Sequence, residues 1–273
     1  MGELLELDGR CAVITGAASG IGRALAEEAA SRGMSLALCD LNPEGLKETV
    51  ARVHNRGVTV MSQVVDVRAP DQLTAFADQV FAQHPSIALV FANAGLMKVD
   101  SAVRPTPAVW ELTLGVNALG MVNTAAAFLD RMIKRGEQAQ FVITASQAAF
   151  MAAPTISAYC ASKHAMWAYA EALQAELAAE SAPVKASLLA PGRVESGLTM
   201  ETRERVRAAS GDAGATAYEK LLMPPDMLAR FAIDQAQNRR FYILPAKDYE
   251  MSLPGRYAAL MTPTEPHAVP PQF

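Results

Sequence analysis

Short apolar runs alternate with longer amphipathic stretches along most of this chain, and that alternation limits its possible folds more than any other feature. The run "CAVIT" (11–15) precedes "GIGRALAEEAASRG" (20–33), which has helical spacing, and the pair of patterns then recurs. Strands are expected at 11–15, 34–40, 58–66, 87–93, 140–146, 184–191 and 239–245. Because strands separated by helices build βαβ units, the sequence predicts an α/β fold with a doubly wound parallel sheet of the Rossmann type.

The whole chain, 1–273, is interpreted as a single domain, because no linker-like stretch interrupts it before about residue 190. Between about 195 and 240 the sequence becomes polar and glycine-containing, with helical spacing only in pieces, and it is predicted to form a variable substrate lid. The apolar wall of that lid is assigned to Leu198, Met200, Leu221, Leu222 and Met223. The Pro-rich tail, about 262–273, is expected to be extended or poorly ordered.

Charge and cysteine content exclude several other classes of protein. The chain has 24 basic and 28 acidic residues and no basic cluster, so neither nucleic acid nor an anionic membrane surface is an expected partner. The apolar run "SIALVFANAG" is too short to span a bilayer, and the N-terminus lacks the regions of a signal peptide. Cys11, Cys39 and Cys160 form neither a disulfide framework nor a zinc set. We therefore expect a cytoplasmic protein without a metal site.

A glycine-rich turn, "TGAASGIG" (15–22), joins the first strand to the first helix. Gly16 permits a tight turn, Gly20 lets a pyrophosphate approach the backbone, and Gly22 lets the helix lie close to the sheet. Asp40 ends the second strand, where an acidic side chain binds ribose hydroxyls. Alone, the glycines also fit a plain strand-to-helix turn, and Asp40 fits a cap before Pro43. These features follow one another along the chain as a strand, the glycine-rich turn, a helix, a second strand and Asp40. That order predicts dinucleotide binding.

A tyrosine and a lysine lie one helical turn apart in "YCASK" (159–163), so Tyr159 and Lys163 project from the same helix face. Ser146 ends the strand before that helix, on the edge of the sheet where ligands bind. A phenol is a poor proton donor at neutral pH, and an adjacent ammonium is expected to lower its pKa. A serine hydroxyl can hold the substrate oxygen. The alternative is that Tyr159 is simply a packed helix residue.

These motifs, taken together, resemble those of the classical short-chain dehydrogenases/reductases. The matching segments, in order along the chain, are "TGAASGIG", "NAG" (93–95), Asn117 in "GVNALG", Ser146, "YCASK" and "PG" (191–192), over about residues 8–200. The resemblance implies a catalytic set of Asn117, Ser146, Tyr159 and Lys163. Tyr159 is then the general acid/base, Lys163 lowers its pKa and holds the nicotinamide ribose, and Ser146 fixes the substrate oxygen. Asn117 kinks its helix and holds a water that links Lys163 to solvent.

The resemblance also implies a set of cofactor-binding residues: Gly16, Ser19, Gly20, Ile21, Gly22, Asp40, Asp66, Val67, Asn93, Tyr159, Lys163, Val194 and Ser196. Within it, Asp66 meets the adenine amino group with Val67 behind it, and Asn93 lines the adenosine side. Val194 and Ser196 meet the nicotinamide carboxamide, with Ser196 where relatives carry Thr.

The residues around the acidic partner predict NAD rather than NADP as cofactor. A 2′-phosphate needs a cation, whereas Asp40 supplies a carboxylate, and Leu41 and Asn42 after it are uncharged. Ser19 is neutral where relatives that prefer NADP often have a basic residue. Arg23, one residue past the turn, is the cation that argues against this prediction.

The resemblance therefore implies an NAD-dependent oxidoreductase that acts on a partly hydrophobic secondary alcohol or ketone. A catalytically idle NAD-binding sensor or scaffold on the same fold is the alternative. The predicted helices at 107–134 and 157–180 are rich in small residues, which permit close packing, and relatives usually pair these helices across a two-fold axis. We expect a homodimer or homotetramer.

Overall fold

Residues 4–245, described in a computed structural model, contain one sheet of seven parallel strands in the order β3-β2-β1-β4-β5-β6-β7. The strands are β1 (Cys11–Thr15), β2 (Ser35–Asp40), β3 (Val60–Val64), β4 (Ile87–Ala92), β5 (Ala139–Thr144), β6 (Val184–Leu189) and β7 (Tyr242–Ile243). The helices are α1 (Gly20–Ser31), α2 (Pro43–Val53), α3 (Pro70–Gln83), α4 (Pro107–Leu114), α5 (Gly120–Arg135), α6 (Ser157–Ala179), α7 (Gly197–Glu219) and α8 (Pro225–Gln237). The predicted tail, 262–273, lies outside the described residues.

The two faces of β1 enter two different halves of the core. Cys11 and Val13 pack in one cluster with residues of α3, α5 and α6. Ala12 and Ile14, which point the other way, pack in a second cluster with residues of α1, α2 and α8. Helices therefore cover both faces of a parallel sheet, and the predicted doubly wound α/β fold is confirmed.

The stretch Pro107–Arg135 is long and apolar enough to cross a membrane by length and composition, with a mean hydropathy of 1.5 in its most apolar window. In the sequence, this stretch was not identified as long enough to cross a membrane, because scattered polar residues interrupt its apolar run. In the fold, half of that window is buried, and residues such as Phe128 and Met132 pack in the core. A buried core helix passes the same test, so the finding is weak evidence for a membrane span.

The segment predicted as the lid, 195–240, divides into two parts. In α8, Leu228, Ala229 and Ile233 are fully buried against the sheet, so this helix belongs to the core. The helix α7 precedes it and is broken at Gly211, whose φ of 70° is not helical. Only the first part of the segment can therefore act as a lid.

Candidate active site

The strand order reverses between β1 and β4, and a cavity of about 590 Å³ lies at the carboxyl ends of the strands there. Most of the residues singled out in the sequence line this cavity: Gly16, Ser19, Gly20, Ile21, Gly22, Asp40, Asp66, Val67, Asn93, Ser146, Tyr159, Lys163, Val194 and Ser196. Asn117 is fully buried beside Gly95, a residue of the cavity wall. The fold thus gathers residues from seven separate parts of the chain.

The glycine turn has no room for side chains. Gly16 has a φ of +69°, and a Cβ there would lie 2.8 Å from Ala94 Cα. A Cβ on Gly22 would lie 2.0 Å from the carbonyl oxygen of Gly16, so α1 approaches the turn as closely as only glycine allows. Both positions therefore require glycine, as in a close strand-to-helix turn that binds phosphate.

Asn93 holds this turn in place. Its backbone N–H donates to Thr15 Oγ1 at 2.9 Å, and its side-chain Nδ2 donates to the Thr15 carbonyl at 3.0 Å. These bonds tie the end of β4 to the end of β1. Asn93 lines the cavity as predicted, and in addition it positions the glycine turn.

Both carboxylate oxygens of Asp40 accept backbone hydrogen bonds, from Ala18 N–H at 2.9 Å and from Asn42 N–H at 2.8 Å. The side chain is thus fixed at the cavity edge. Arg23 is directed elsewhere: its guanidinium donates to Ala18 O at 2.6 Å and pairs with Glu48 at 2.8 Å. The cation that argued against NAD is therefore not among the residues that line the cavity.

Asp66 has a partner that the sequence reading missed. Arg68, two residues on, holds its carboxylate through side-chain contacts of 2.6 and 3.0 Å, and these lower the pKa of Asp66. Both residues line the cavity. The segment "DVR" (66–68) carried the signal, since a carboxylate and a guanidinium two residues apart can pair across a tight turn.

Ser146 lies two residues beyond β5, at the start of a short 3₁₀ turn, Gln147–Ala149. Its hydroxyl accepts from Ala148 N–H at 3.2 Å, which fixes the side chain, and it is hydrogen-bonded to the Tyr159 phenol. Because β5 ends at the cavity and α6 begins there, the serine and the tyrosine meet as the spacing predicted.

Lys163 lies one turn after Tyr159, with Nζ 5.5 Å from the centroid of the Tyr159 ring. Nζ donates to the Thr144 carbonyl at 3.0 Å, and the side chain is only 3% exposed. Burial lowers the pKa of Lys163 from 10.5 to about 7. The same burial raises the pKa of Tyr159 to about 12, although its hydrogen bond with Ser146 acts in the opposite direction.

The net pKa of Tyr159 is therefore raised in the protein without ligands, because desolvation disfavours the phenolate and the ammonium alike. The lowering that an adjacent ammonium would cause stays a prediction. A lysine that is only partly protonated near pH 7 stabilises a neighbouring phenolate less than a full charge would.

Asn117 interrupts the helix as predicted, within a π-helical turn, Gly115–Leu119, between α4 and α5. Its amide oxygen accepts from Leu96 N–H at 2.8 Å, and its Nδ2 donates to Leu96 O and to Ser162 Oγ, both at 2.9 Å. The Ser162 hydroxyl donates in turn to the Tyr159 carbonyl at 2.7 Å. The side chain thus fixes the first turn of α6, which carries the tyrosine.

The first half of α7 covers the cavity, but not through the predicted apolar wall. Met200 is 54% exposed and Leu221 is 57% exposed, so neither closes the site, while the side chain of Leu198 lies outside the described part of the chain. The residues that α7 contributes to the cavity are instead Gly197, Thr199, Thr202, Arg205 and Tyr218. The predicted apolar wall was wrong because the sequence did not show which face of α7 is turned toward the cavity.

Further cavity residues carried no local signal in the sequence. They include Met97, Val99, Met151, Ile156 and Arg193, which lie in loops after β4, β5 and β6. One of these loops contains Thr155 with a φ of +66°, a strained value for a β-branched residue. In residues 4–245 no group of three or more His, Cys, Asp or Glu side chains is placed to hold a metal ion.

A family model described as short chain dehydrogenase matches residues 10–207 of this chain. The chain is 32% identical over 256 residues to 1-deoxy-11-beta-hydroxypentalenate dehydrogenase from Streptomyces exfoliatus, covering 91% of this chain and 87% of that protein. A short chain dehydrogenase/reductase from Burkholderia phymatum in complex with NAD has 30% identity and a TM-score of 0.86, over 97% of this chain and 99% of that one. A short chain dehydrogenase from Mycobacterium paratuberculosis bound to NAD has 25% identity and a TM-score of 0.76, over 87% and 96%. Fold, site and relatives agree, and this chain belongs to the short-chain dehydrogenase/reductase family.

Proposed function

We propose that this protein transfers a hydride between NAD(H) and a partly hydrophobic secondary alcohol or ketone. The observation that carries the proposal is that Ser146, Tyr159 and Lys163 face the same cavity as the glycine turn. A proton donor and a dinucleotide site in one cavity are what such a reaction needs. The relative from Streptomyces exfoliatus, named as a dehydrogenase of a hydroxy compound, supports this class of reaction.

The cavity fits a dinucleotide at its glycine end. Gly16, Gly20 and Gly22 line this end beside the start of α1, where a pyrophosphate is bound. Asp40 faces the same end, where a carboxylate accepts from ribose hydroxyls. The NAD complexes of the Burkholderia phymatum and Mycobacterium paratuberculosis relatives support the same assignment.

The charges at that end favour NAD over NADP. The Asp40 carboxylate would repel a 2′-phosphate, and Arg23 is held by Glu48 and Ala18 outside the cavity lining. Arg68 does line the cavity, but its guanidinium is paired with Asp66. A 2′-phosphate would therefore meet an anion and would have to compete for the nearby cation.

When bound, NAD supplies the hydride acceptor for alcohol oxidation, and NADH supplies the hydride for ketone reduction. Tyr159 is protonated at neutral pH, because burial raises its pKa to about 12, and it donates its phenolic proton to the carbonyl oxygen in reduction. Ser146 is hydrogen-bonded to the phenol and holds the same substrate oxygen. Lys163, in its protonated form, stabilises the phenolate left behind, and Asn117 positions the helix turn that carries Tyr159.

The test is the substitution Tyr159→Phe, which keeps the ring and removes the proton. With NADH and a panel of aryl and alicyclic ketones, kcat should fall by on the order of a hundredfold to ten-thousandfold, while NADH binding stays nearly unchanged. Tyr169→Phe is the matched control, since Tyr169 lies on the same helix but does not line the cavity. An idle sensor or scaffold would bind NADH and turn over none of the panel, and near-normal kcat in Tyr159→Phe would contradict the assigned role.

We also propose that the protein is a homodimer or homotetramer that pairs α5 and α6 with a second copy. Leu119, just before α5, and Val122, in its first turn, are 59% and 38% exposed, which gives this region apolar surface to bury. Light scattering at micromolar concentration tests the proposal. A particle of 29.0 kDa, the mass of one chain, would contradict it.

A further inference from the structure

We infer that the substrate carries an anionic group, most simply a carboxylate, which is bound by Arg193 and Arg205. The inference rests on the proposed function and names its substrate class: an apolar alcohol or ketone that is also an acid. Both arginines line the same cavity as Ser146 and Tyr159, and Thr202 and Tyr218 line it as well.

The helix α7 turns one consistent face toward the cavity. Thr199, Thr202 and Arg205 follow one another at intervals of three residues, so each neighbours the next on the helix surface, and all three line the cavity. The register is fixed at the start of the helix, where Thr199 Oγ1 accepts from Ser196 N–H at 2.8 Å and donates to the Val194 carbonyl at 2.9 Å. Arg205 is therefore held facing inward by the structure of the helix.

The second half of α7 returns over the first after the break at Gly211. Tyr218 is hydrogen-bonded to Thr202, and its pKa responds to the nearby charge of Arg193. Arg203 and Glu219 pair across the two halves as well. Arg193, from the loop after β6, and Arg205, from α7, line the cavity together with Tyr218.

The charges along the described cavity lining come from different elements. The acidic residues in that lining are Asp40, which ends β2, and Asp66, which follows β3, and Asp66 is paired with Arg68. Arg193 and Arg205 come from the loop after β6 and from α7. Arg193 and Arg205 already interact with other protein groups, and these interactions orient the two side chains. A guanidinium has five N–H donors, so each arginine can bind a carboxylate in addition.

Apolar residues complete the cavity wall. Met97, Val99, Met151 and Ile156 line the same cavity and suit a hydrocarbon body. The arrangement fits a molecule with its hydroxyl or carbonyl at Tyr159, an apolar body, and a carboxylate away from the reacting carbon. A neutral alcohol would leave the two arginines without the ligand they can bind.

The experiment compares keto acids with their methyl esters, starting with 4-acetylbenzoate and methyl 4-acetylbenzoate and extending to alicyclic pairs, with NADH and the full chain. We expect kcat/KM at least about tenfold higher for the acids. Arg205→Gln and Arg193→Gln should each lower kcat/KM for the acids by about tenfold to a hundredfold and leave the esters unchanged, as expected for a hydrogen-bonded charge pair. The matched control is Arg207→Gln, because Arg207 pairs with Glu204 and Asp212 and does not line the cavity.

A second readout does not depend on turnover. In the presence of NADH, the acids should raise Tm more than the esters in the unmutated protein, and this difference should disappear in Arg205→Gln but persist in Arg207→Gln. If the esters are turned over and the acids show no higher kcat/KM, the inference is wrong and the proposed function stands. An acid preference that survives both Arg193→Gln and Arg205→Gln also overturns it. If NADH neither binds nor is oxidised with any compound, the proposed function fails and the inference fails with it.

Discussion

Replacing Lys163 by methionine should make the ligand-free protein more stable below pH 7. The lysine is 3% exposed, and burial lowers its pKa from 10.5 to about 7. Between about pH 7 and pH 10.5 the unfolded chain therefore binds a proton at this residue that the folded chain does not. Stability rises with pH wherever the unfolded state binds more protons, so the destabilisation from Lys163 is largest below pH 7 and fades as the pH approaches 10.5.

The magnitude follows from the pKa change. At 1.36 kcal/mol for each tenfold change in proton affinity, a fall from 10.5 to about 7 corresponds to about 5 kcal/mol of unfolding free energy at pH 6. Lys163→Met removes this penalty but also removes the hydrogen bond to the Thr144 carbonyl, which contributes about 1 kcal/mol. The net gain at pH 6 is on the order of 3–4 kcal/mol, or about 10 °C in Tm.

The assay is scanning calorimetry without nucleotide at pH 6, 8 and 10, on the unmutated protein and on Lys163→Met. The Tm of the variant should exceed that of the unmutated protein at pH 6, and the gap should narrow toward pH 10. Lys185→Met, on the exposed side of β6, is the control and should show no such pH dependence. A variant that is less stable at pH 6, or a gap that does not change with pH, would refute the reasoning. The variant should also be inactive and bind NADH more weakly.

Three further predictions concern the cofactor end and the lid. The unmutated protein should prefer NAD(H) over NADP(H) by at least about a hundredfold in kcat/KM, and equal use of both cofactors would contradict this. Asp40→Ala should narrow that gap mainly by weakening the binding of NAD(H), because the carboxylate also fixes the turn at Ala18. Gly22→Ala should abolish NADH binding, measured by nucleotide fluorescence, because its Cβ would lie 2.0 Å from the Gly16 carbonyl oxygen; unchanged binding would refute it. Amides of α7 should exchange with solvent faster than those of α8 and should slow with NADH and substrate, so equal exchange in both states would argue against a lid.

The sequence by itself determined the class of fold, because that depends on patterns within short segments. In β1 the apolar run from Cys11 to Thr15 predicts a strand, and the glycines after it predict a tight turn into a helix. Each of these signals depends on residues that are neighbours in the chain. Ligands of a doubly wound sheet bind outside the carboxyl ends of its strands, so the edge where the site lies was also predictable, whereas the strand order came from the structure.

The convergence of the proposed catalytic residues was predictable for the same reason. Tyr159 and Lys163 are one helical turn apart, and Ser146 follows the strand that ends beside them. Local geometry brings such residues together, whatever the rest of the core contains. The family resemblance then extended the prediction to Asn117, whose π-helical turn the helix pattern alone did not reveal.

Only the tertiary structure decided the electrostatics of the site and the wall that faces the substrate. The tyrosine pKa is raised because packing from several elements removes water from the phenol, and no local pattern reports that burial. The inward position of Arg205 depends on the register of α7, which is fixed by the contacts of that helix with Val194 and Tyr218. The placement of α8 in the core depends on its packing against α1. These features arise between residues far apart in sequence, where burial and close contact, rather than periodicity, fix the outcome.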